Sequence, residues 1–265
     1  MSEALGKLLA RALPAALAAA QAAGRELLRR YGGSLAVELK PDETPVTEAD
    51  RAAERAVLAT LRAAFPAHAF YGEESGRSGE SEFLWLVDPL DGTRSFIRAQ
   101  PMFSVQIALF HGGRPVLGVS HAPVFAETAW AVRGGGAYLD GRRLCCRSLA
   151  RLGDAHLSLG NLKRLAANPI GWELLAALIG AAERVRGYGD FFHYHRLAEG
   201  ALDAVLESDV HVLDVAALSL IVEEAGGVFT DLSGQPLSLA TTSVLAASSP
   251  TLHVQLLERL GGALS

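Results

Sequence analysis

Trp85-Leu86-Val87-Asp88-Pro89-Leu90-Asp91-Gly92-Thr93-Arg94-Ser95-Phe96 is the stretch on which the reading of this chain turns. It closes a continuous apolar run, Phe83 to Val87, of strand length, so the strand should be buried. Such a strand delivers Asp88 at its C-terminal end, where α/β architectures place ligands. Pro89 has no N–H and stops the ladder there, which frees the carbonyl of Leu90 to face elsewhere. Two carboxylates and a free carbonyl within four residues make a hard-oxygen cation site. Gly92 lets the backbone approach a ligand closely, and the N–H groups of Gly92 and Thr93 at a helix start favour a phosphate. A cation beside an anion is the pairing that metal-assisted phosphoryl chemistry needs.

Further acids are available to the same site: Asp50, Glu73 and Glu74 in Gly72-Glu-Glu-Ser75, and Asp214 in His211-Val-Leu-Asp214-Val-Ala-Ala. Two carboxylates about 4 Å apart repel by about 4 kcal/mol at an effective dielectric near 20, so a converging set needs cations. Mg²⁺ fits, being an oxygen seeker that keeps activatable waters. Taken singly, each acid has a plainer reading. Asp88 and Asp91 suit a turn, Asp50 suits a helix start, Glu74 a solvated loop, and Asp190 and Glu207 salt bridges to arginines. His193 and His195, two apart on a helix, face different ways and read as core or surface residues rather than ligands.

Outward from this stretch, a helix is expected from about Ser2 to Tyr31, then a loop from Gly32 to Pro45. A second helix starts at Thr47, with Asp50 in the capping-box position and Ala53, Val57, Leu58 and Leu61 at helical spacing. Gly72 to Glu82 reads as an exposed loop. Phe103 to Val132 reads as an antiparallel meander with a hairpin at Gly112-Gly113. After about Arg147, helices alternate with short strands: Trp172–Ala182, Val185, Phe191–Glu199, Ala204–Leu206, Val212–Ala225, Val244–Ala247 and Leu252–Leu260. The expectation is an α+β N-terminal lobe, residues 1–147, with an antiparallel sheet, and an α/β C-terminal lobe, residues 148–265, the two forming one catalytic unit.

Composition sets the outer limits. The chain has 265 residues, half of them apolar, and a net charge of −5, which excludes disorder and argues against nucleic-acid partners. The only cysteines, Cys145 and Cys146, are neighbours and cannot build a disulfide framework, so a cytoplasmic location is expected. No apolar run reaches the roughly 18–20 residues that span a bilayer, and no membrane partner is expected. Ala12 to Ala23 is interrupted by Pro14 and preceded by charges at Glu3, Lys7 and Arg11, and reads as an amphipathic helix rather than a signal-peptide core. Arg142, Arg143, Arg147 and Arg151 read as a solvated hairpin, and Gly226-Gly227 as a helix C-cap.

Together these segments resemble the inositol monophosphatase superfamily of Mg²⁺-dependent phosphatases. Its first motif matches Trp85 to Phe96, its second matches Leu213-Asp-Val-Ala-Ala and Glu224-Ala-Gly-Gly227, and Gly72-Glu-Glu-Ser75 adds a third match. The similarity runs from about Leu5 to Leu260, with Leu213 standing where many members carry tryptophan. The resemblance implies a layered αβαβα sandwich with its site between the lobes, and a homodimer. It also implies roles: Glu73, Asp88 and the Leu90 carbonyl for a first Mg²⁺, and Asp88, Asp91 and Asp214 for a second. A third, weaker ion would lie near Glu73. Thr93, oriented by Asp50, and Glu73 would position the water that attacks phosphorus in line, with Gly92 and Thr93 on the phosphate.

Within that superfamily, Lys40-Pro-Asp-Glu-Thr-Pro-Val-Thr-Glu-Ala-Asp50, Ser95-Phe-Ile-Arg98 and Gly187-Tyr-Gly-Asp190-Phe-Phe-His-Tyr194 resemble the histidinol-phosphate phosphatase branch. Asp190 would meet the ammonium or imidazolium of histidinol; Glu207 and Asp91 would contact substrate. Met102-Phe103 departs from that branch's aromatic pattern. The expected substrate is therefore histidinol phosphate, placing the enzyme in histidine biosynthesis, with inositol 1-phosphate or a range of sugar phosphates as the alternative. A regulatory protein contacting transcription machinery is the reading from a different class, and degraded ligands would favour it; this chain keeps them all.

Overall fold

The computed structural model describes residues 2–33, 36–40 and 44–261. Pro41, Asp42 and Glu43, within the Lys40–Asp50 segment, lie outside the described residues. Helix α1 (Glu3–Leu28) is capped by Ser2, whose side chain accepts the Leu5 N–H. Its Ala12, Ala16, Ala19, Ala23 and Leu27 recur every three or four residues and are buried, a narrow face that lets a second helix approach closely. An antiparallel ribbon, β1 (Val37–Leu39) and β2 (Pro45–Thr47), leads to α2 (Glu48–Ala64), which packs on α1. The capping box at Thr47 and Asp50 is present.

The large sheet has eight strands: β3 (Ala69–Gly72), β4 (Gly76–Ser78), β5 (Phe83–Asp91), β6 (Ser104–His111), β7 (Arg114–Ala122), β8 (Glu127–Val132), β9 (Gly136–Leu139) and β10 (Arg142–Arg143). Their order is β10-β9-β8-β7-β6-β5-β3-β4, with only β3 and β5 parallel. The meander turning at Gly112-Gly113 is the one expected. Along β5, Trp85 and Val87 enter the core with α1 and α2, while Leu84 and Leu86 enter a second core on the opposite face. Each such side chain contributes about 1.5–3 kcal/mol by burial, which explains the unbroken apolar run. A short helix, α3 (Thr93–Ile97), follows β5.

The smaller sheet is mixed. Its elements are β11 (His156–Gly160), α4 (Leu162–Ala166), α5 (Pro169–Ala181), β12 (Arg184–Arg186), α6 (Asp190–Ala198), β13 (Ala204–Ser208), α7 (Val212–Glu224), β14 (Val228–Thr230), β15 (Ser243–Ala247) and α8 (Pro250–Leu260). Strand order is β12-β11-β13-β15-β14. Helices α6 and α7 lie between the two sheets and share one core with both, while α5 and α8 cover the outer face of the smaller sheet. The layers therefore run αβαβα, as expected. Helix α7 is apolar all round because it has sheet on two sides: every residue from Val215 to Val222 is buried. Gly118 on β7 lets it come close, since a methyl group there would stand 2.7 Å from the Ala217 carbonyl oxygen.

Three expectations need correction. Gly32–Pro45 is not all loop, because Val37–Leu39 pairs with β2 as β1. Gly72–Glu82 is not all loop, because Gly76–Ser78 folds back as β4 on β3. Pro89 does not end its strand: β5 continues to Asp91, and a register shift between the Asp88/Gln106 and Asp91/Ser104 pairs absorbs the missing N–H. Strand β11, second from the edge of the smaller sheet and beside β13, escaped the sequence reading because His156 and Ser158 give a polar alternation over only five residues.

Candidate active site

The end of β5, the start of α7 and the turn after β3 bring the acids together. Asp88 is buried, and because Pro89 cannot donate, the next N–H, that of Leu90, donates to Asp88 Oδ1 at 2.9 Å. Asp91, half-buried, accepts a hydrogen bond from Ser104 Oγ to its Oδ2 at 3.0 Å. Asp214 occupies the third position of α7, where its Oδ2 accepts the His211 N–H at 2.8 Å. Glu73 follows β3, its N–H bonded to the Val87 carbonyl at 3.1 Å.

Electrostatics show what this cluster lacks. Burial first, then the charges of Glu73, Asp214 and Asp91, push the Asp88 carboxyl well above its ordinary range. Burial and the charges of Asp190 and Asp214 do the same to Asp91. Asp214 is raised to about 7, again chiefly by burial. Among the described residues, no three His, Cys, Asp or Glu side chains are already gathered as a metal cage. Asp88, Asp91 and Asp214 instead each accept a neighbouring N–H or O–H, and Glu73 and Glu74 hold Lys40, whose Nζ lies 2.8 Å from Glu73 and 2.6 Å from Glu74. Burial disfavours that ammonium, but the two carboxylates outweigh it and hold Lys40 above its ordinary pKa. A donor set made only of oxygen, running from buried Asp88 to exposed Glu73, mutually repelling and already attracting the nearest amine, fits a divalent cation.

Thr93 stands beside these acids, its Oγ1 3.1 Å from both Asp50 Oδ1 and the Leu90 carbonyl. Asp50 is buried and held by the N–H and Oγ1 of Thr47, each at 2.7 Å from Oδ2. Gly92 adopts φ +91°, and a side chain there would stand 2.5 Å from the Met102 carbonyl oxygen, so only glycine admits this turn. Glu54, which the sequence reading passed over, is buried and accepts the N–H groups of Glu74 and Ser75 at 2.8 and 2.9 Å. It thereby fixes the turn that carries Glu73. The signal was present: a charged residue four after Asp50, on the face of α2 that otherwise buries alanine, valine and leucine.

Opposite Asp91 and Asp214, one cleft is lined by Asp190, Tyr194 and Glu207. Glu207 on β13 pairs in register with Gly160 on β11, and any side chain at Gly160 would collide with the Glu207 carboxylate. Tyr194 Oη donates to Glu207 Oε2 at 2.7 Å, and His193 Nε2 lies 3.1 Å from the same oxygen. His193 and His195 are both fully buried, as the core reading expects, yet each bonds a carboxylate. Burial and the charge of Glu207 raise Asp190 to about 6. Among the described residues, no arginine bridge reaches Asp190 or Glu207, unlike the plainer reading of those two acids. His211 caps α7 and touches Tyr71 Oη at 3.3 Å.

The sequence profile of the inositol monophosphatase family matches residues 9–264. The chain belongs to that family. Family members are phosphatases and generally depend on Mg²⁺. The chain is 41% identical over 254 residues to a histidinol-phosphatase of Mycobacterium tuberculosis, covering 92% of this chain and 96% of that protein. It is 35% identical over 237 residues to an inositol-1-monophosphatase of Mesorhizobium japonicum, covering 87% and 89%. A solved structure of extragenic suppressor protein suhB from Bartonella henselae superimposes with a TM-score of 0.87 at 32% identity, over 94% of this chain and 98% of that one. No described helix is long and apolar enough to cross a membrane.

Proposed function

We propose that this member of the inositol monophosphatase family is a cytoplasmic, homodimeric Mg²⁺-dependent phosphomonoesterase whose substrate is histidinol phosphate. The observation that carries the substrate is the acidic wall facing the metal-type acids: Asp190 and Glu207 present carboxylates and no basic side chain lines that cleft among the described residues. A cationic alcohol gains from such a wall, whereas a neutral polyol needs only hydrogen bonds. Similarity to a histidinol-phosphatase over nearly the whole chain supports the same reading.

In this reading the lobe of residues 1–147 supplies Glu73, Asp88, the Leu90 carbonyl and Asp91, and the lobe of residues 148–265 supplies Asp214 and the substrate wall. Mg²⁺ ions held by these oxygens would neutralise the acids and the ester phosphate and make water a stronger nucleophile. Asp50 fixes Thr93, so the Thr93 hydroxyl and the Glu73 carboxylate can orient one water for in-line attack. The N–H groups of Gly92 and Thr93 serve the phosphate oxygens. Tyr194 and His193 both occupy Oε2 of Glu207, which keeps that carboxylate at one place on the substrate wall.

The test is phosphate release with Mg²⁺ from L-histidinol phosphate and from inositol 1-phosphate side by side, with Asp91→Asn as the contamination control. Histidinol phosphate should be preferred by about tenfold or more in kcat/KM, about 1.4 kcal/mol of discrimination. A reversed preference would give the substrate to the inositol ester, and equal turnover would make the enzyme a broad sugar-phosphate phosphatase; near-normal turnover by Asp91→Asn would remove Asp91 from the machinery.

A further inference from the structure

A buried chain of polar side chains runs from Asp91 across β6 and β7 of the large sheet to His195 on α6, and from there to Glu127 at the start of β8. Ser104 Oγ donates to Asp91 Oδ2 at 3.0 Å, and Gln106 Nε2 lies 2.8 Å from Ser104 Oγ and 3.0 Å from Ser120 Oγ. Ser120 Oγ is 2.9 Å from His195 Nε2, and His195 Nδ1 is 3.4 Å from Glu127 Oε2. Arg196 closes the chain on the same Glu127 oxygen at 2.6 Å. Ser104, Gln106, Ser120 and His195 are at most 1% exposed, so water does not compete for these bonds.

Every proton in this chain can be placed from its far end. Glu127 is a carboxylate and only accepts, so Nδ1 of His195 carries the hydrogen. Burial lowers the pKa of the imidazole, which is then neutral and offers Nε2 as an acceptor. Ser120 must donate to it, and its oxygen is left to accept from Gln106 Nε2. The second amide hydrogen goes to Ser104, whose own hydrogen is directed to Asp91. Gln106 Oε1 is buried without a partner among the described residues, so the amide orientation is not held by its oxygen. It is held by the two hydroxyls.

We propose that His195 is a positioning residue for Asp91: its acceptor nitrogen fixes the orientation of the Gln106 amide, and through Ser104 commits one Asp91 oxygen and leaves the other for a cation. Without that acceptor the Ser120 hydrogen turns to Gln106, the amide reverses to receive it, and its oxygen then draws the Ser104 hydrogen away from Asp91. The inference rests on the reading of Asp91 as a metal ligand.

The experiment measures Mg²⁺ binding to the full chain by calorimetry, alongside the Mg²⁺ dependence of phosphate release, for His195→Phe, His195→Gln, Ser104→Ala and the double variant. His195→Phe removes the acceptor and should weaken Mg²⁺ binding about tenfold or more, as loss of a ligand's supporting hydrogen bonds does. His195→Gln keeps an acceptor near the Nε2 position and should restore binding to within about threefold. Adding His195→Phe to Ser104→Ala should cost nothing further, because the path already ends at Ser104. A folded His195→Phe with wild-type Mg²⁺ affinity, or additive losses in the double variant, would overturn the inference. If His195→Phe does not fold, Ser120→Ala against Ser120→Thr decides in the same way at the next link. A wild-type chain that takes up no Mg²⁺ overturns the metal reading and the inference together; one that does, beside an unaffected His195→Phe, overturns the inference alone.

Discussion

Replacing Gly118 by alanine tests how α7 is seated. The added methyl would stand 2.7 Å from the Ala217 carbonyl oxygen and 3.0 Å from its Cα, against the roughly 3.5–4.0 Å of an unstrained contact between carbons. Both near atoms are backbone, so no side chain can swing away, and α7 or β7 must shift by roughly 0.5–1 Å. Overpacking of this kind costs about 1–3 kcal/mol, which for a domain of this size lowers Tm by about 4–8 °C at the midpoint of that range. The displacement also reaches Asp214, one turn before Ala217 on the same helix, so phosphate release should fall with stability. Calorimetric melting of Gly118→Ala would be compared with Gly180→Ala, where an exposed helical glycine meets nothing within 4 Å. That control should hold or gain about 0.5–1 kcal/mol. A Gly118→Ala protein that melts within a degree of wild type and keeps its activity would refute the close seating of α7 on β7.

Three further outcomes follow from the site. Glu54→Ala leaves the N–H groups of Glu74 and Ser75 without their acceptor and should cost about 2 kcal/mol, with a higher Mg²⁺ requirement for turnover; an unchanged Mg²⁺ titration would separate Glu54 from Glu73. Tyr194→Phe removes a donor to a carboxylate, an interaction of about 1.5–3 kcal/mol, and should raise KM for histidinol phosphate more than it lowers kcat; a pure kcat effect would argue against its hold on Glu207. Acidity should act on the metal-free chain with a defined sign. Asp214 at about 7 and Asp190 at about 6 lie above their unfolded values, so their favourable contribution is complete below about pH 4 and is lost as pH rises through 6 to 7. In chelator, Tm should therefore increase from pH 8 to pH 6.5, and Mg²⁺ should flatten the slope; a metal-free Tm that falls over that interval would contradict the buried-acid account.

Much of this was readable from the residues. The unbroken apolar run of β5 reported burial, and the Thr47/Asp50 spacing reported a helix start, because both signals are local. Thr93 bonds Asp50, and Asp91 and Asp214 line one cleft. What escaped has a common cause in distance along the chain. Glu54 acts on backbone 20 and 21 residues away, and Ser120 and His195 meet across 75 residues. No spacing rule reports such a contact. Pro89 misled in the opposite way: a residue that ends most ladders is accommodated here by a register shift that only the partner strand β6 reveals.

The burial of α7 on every side bears on how the chain is made. The large sheet is complete once β10 has been synthesised at Arg143, yet one of its faces, with Leu84, Leu86, Ala108 and Phe110, is covered only by helices that come later. At about 5–20 residues per second, the ribosome needs about 4–16 s to travel from Arg143 to the end of α7 at Glu224. For that interval the apolar side of the large sheet lacks the helices that cover it in the folded chain.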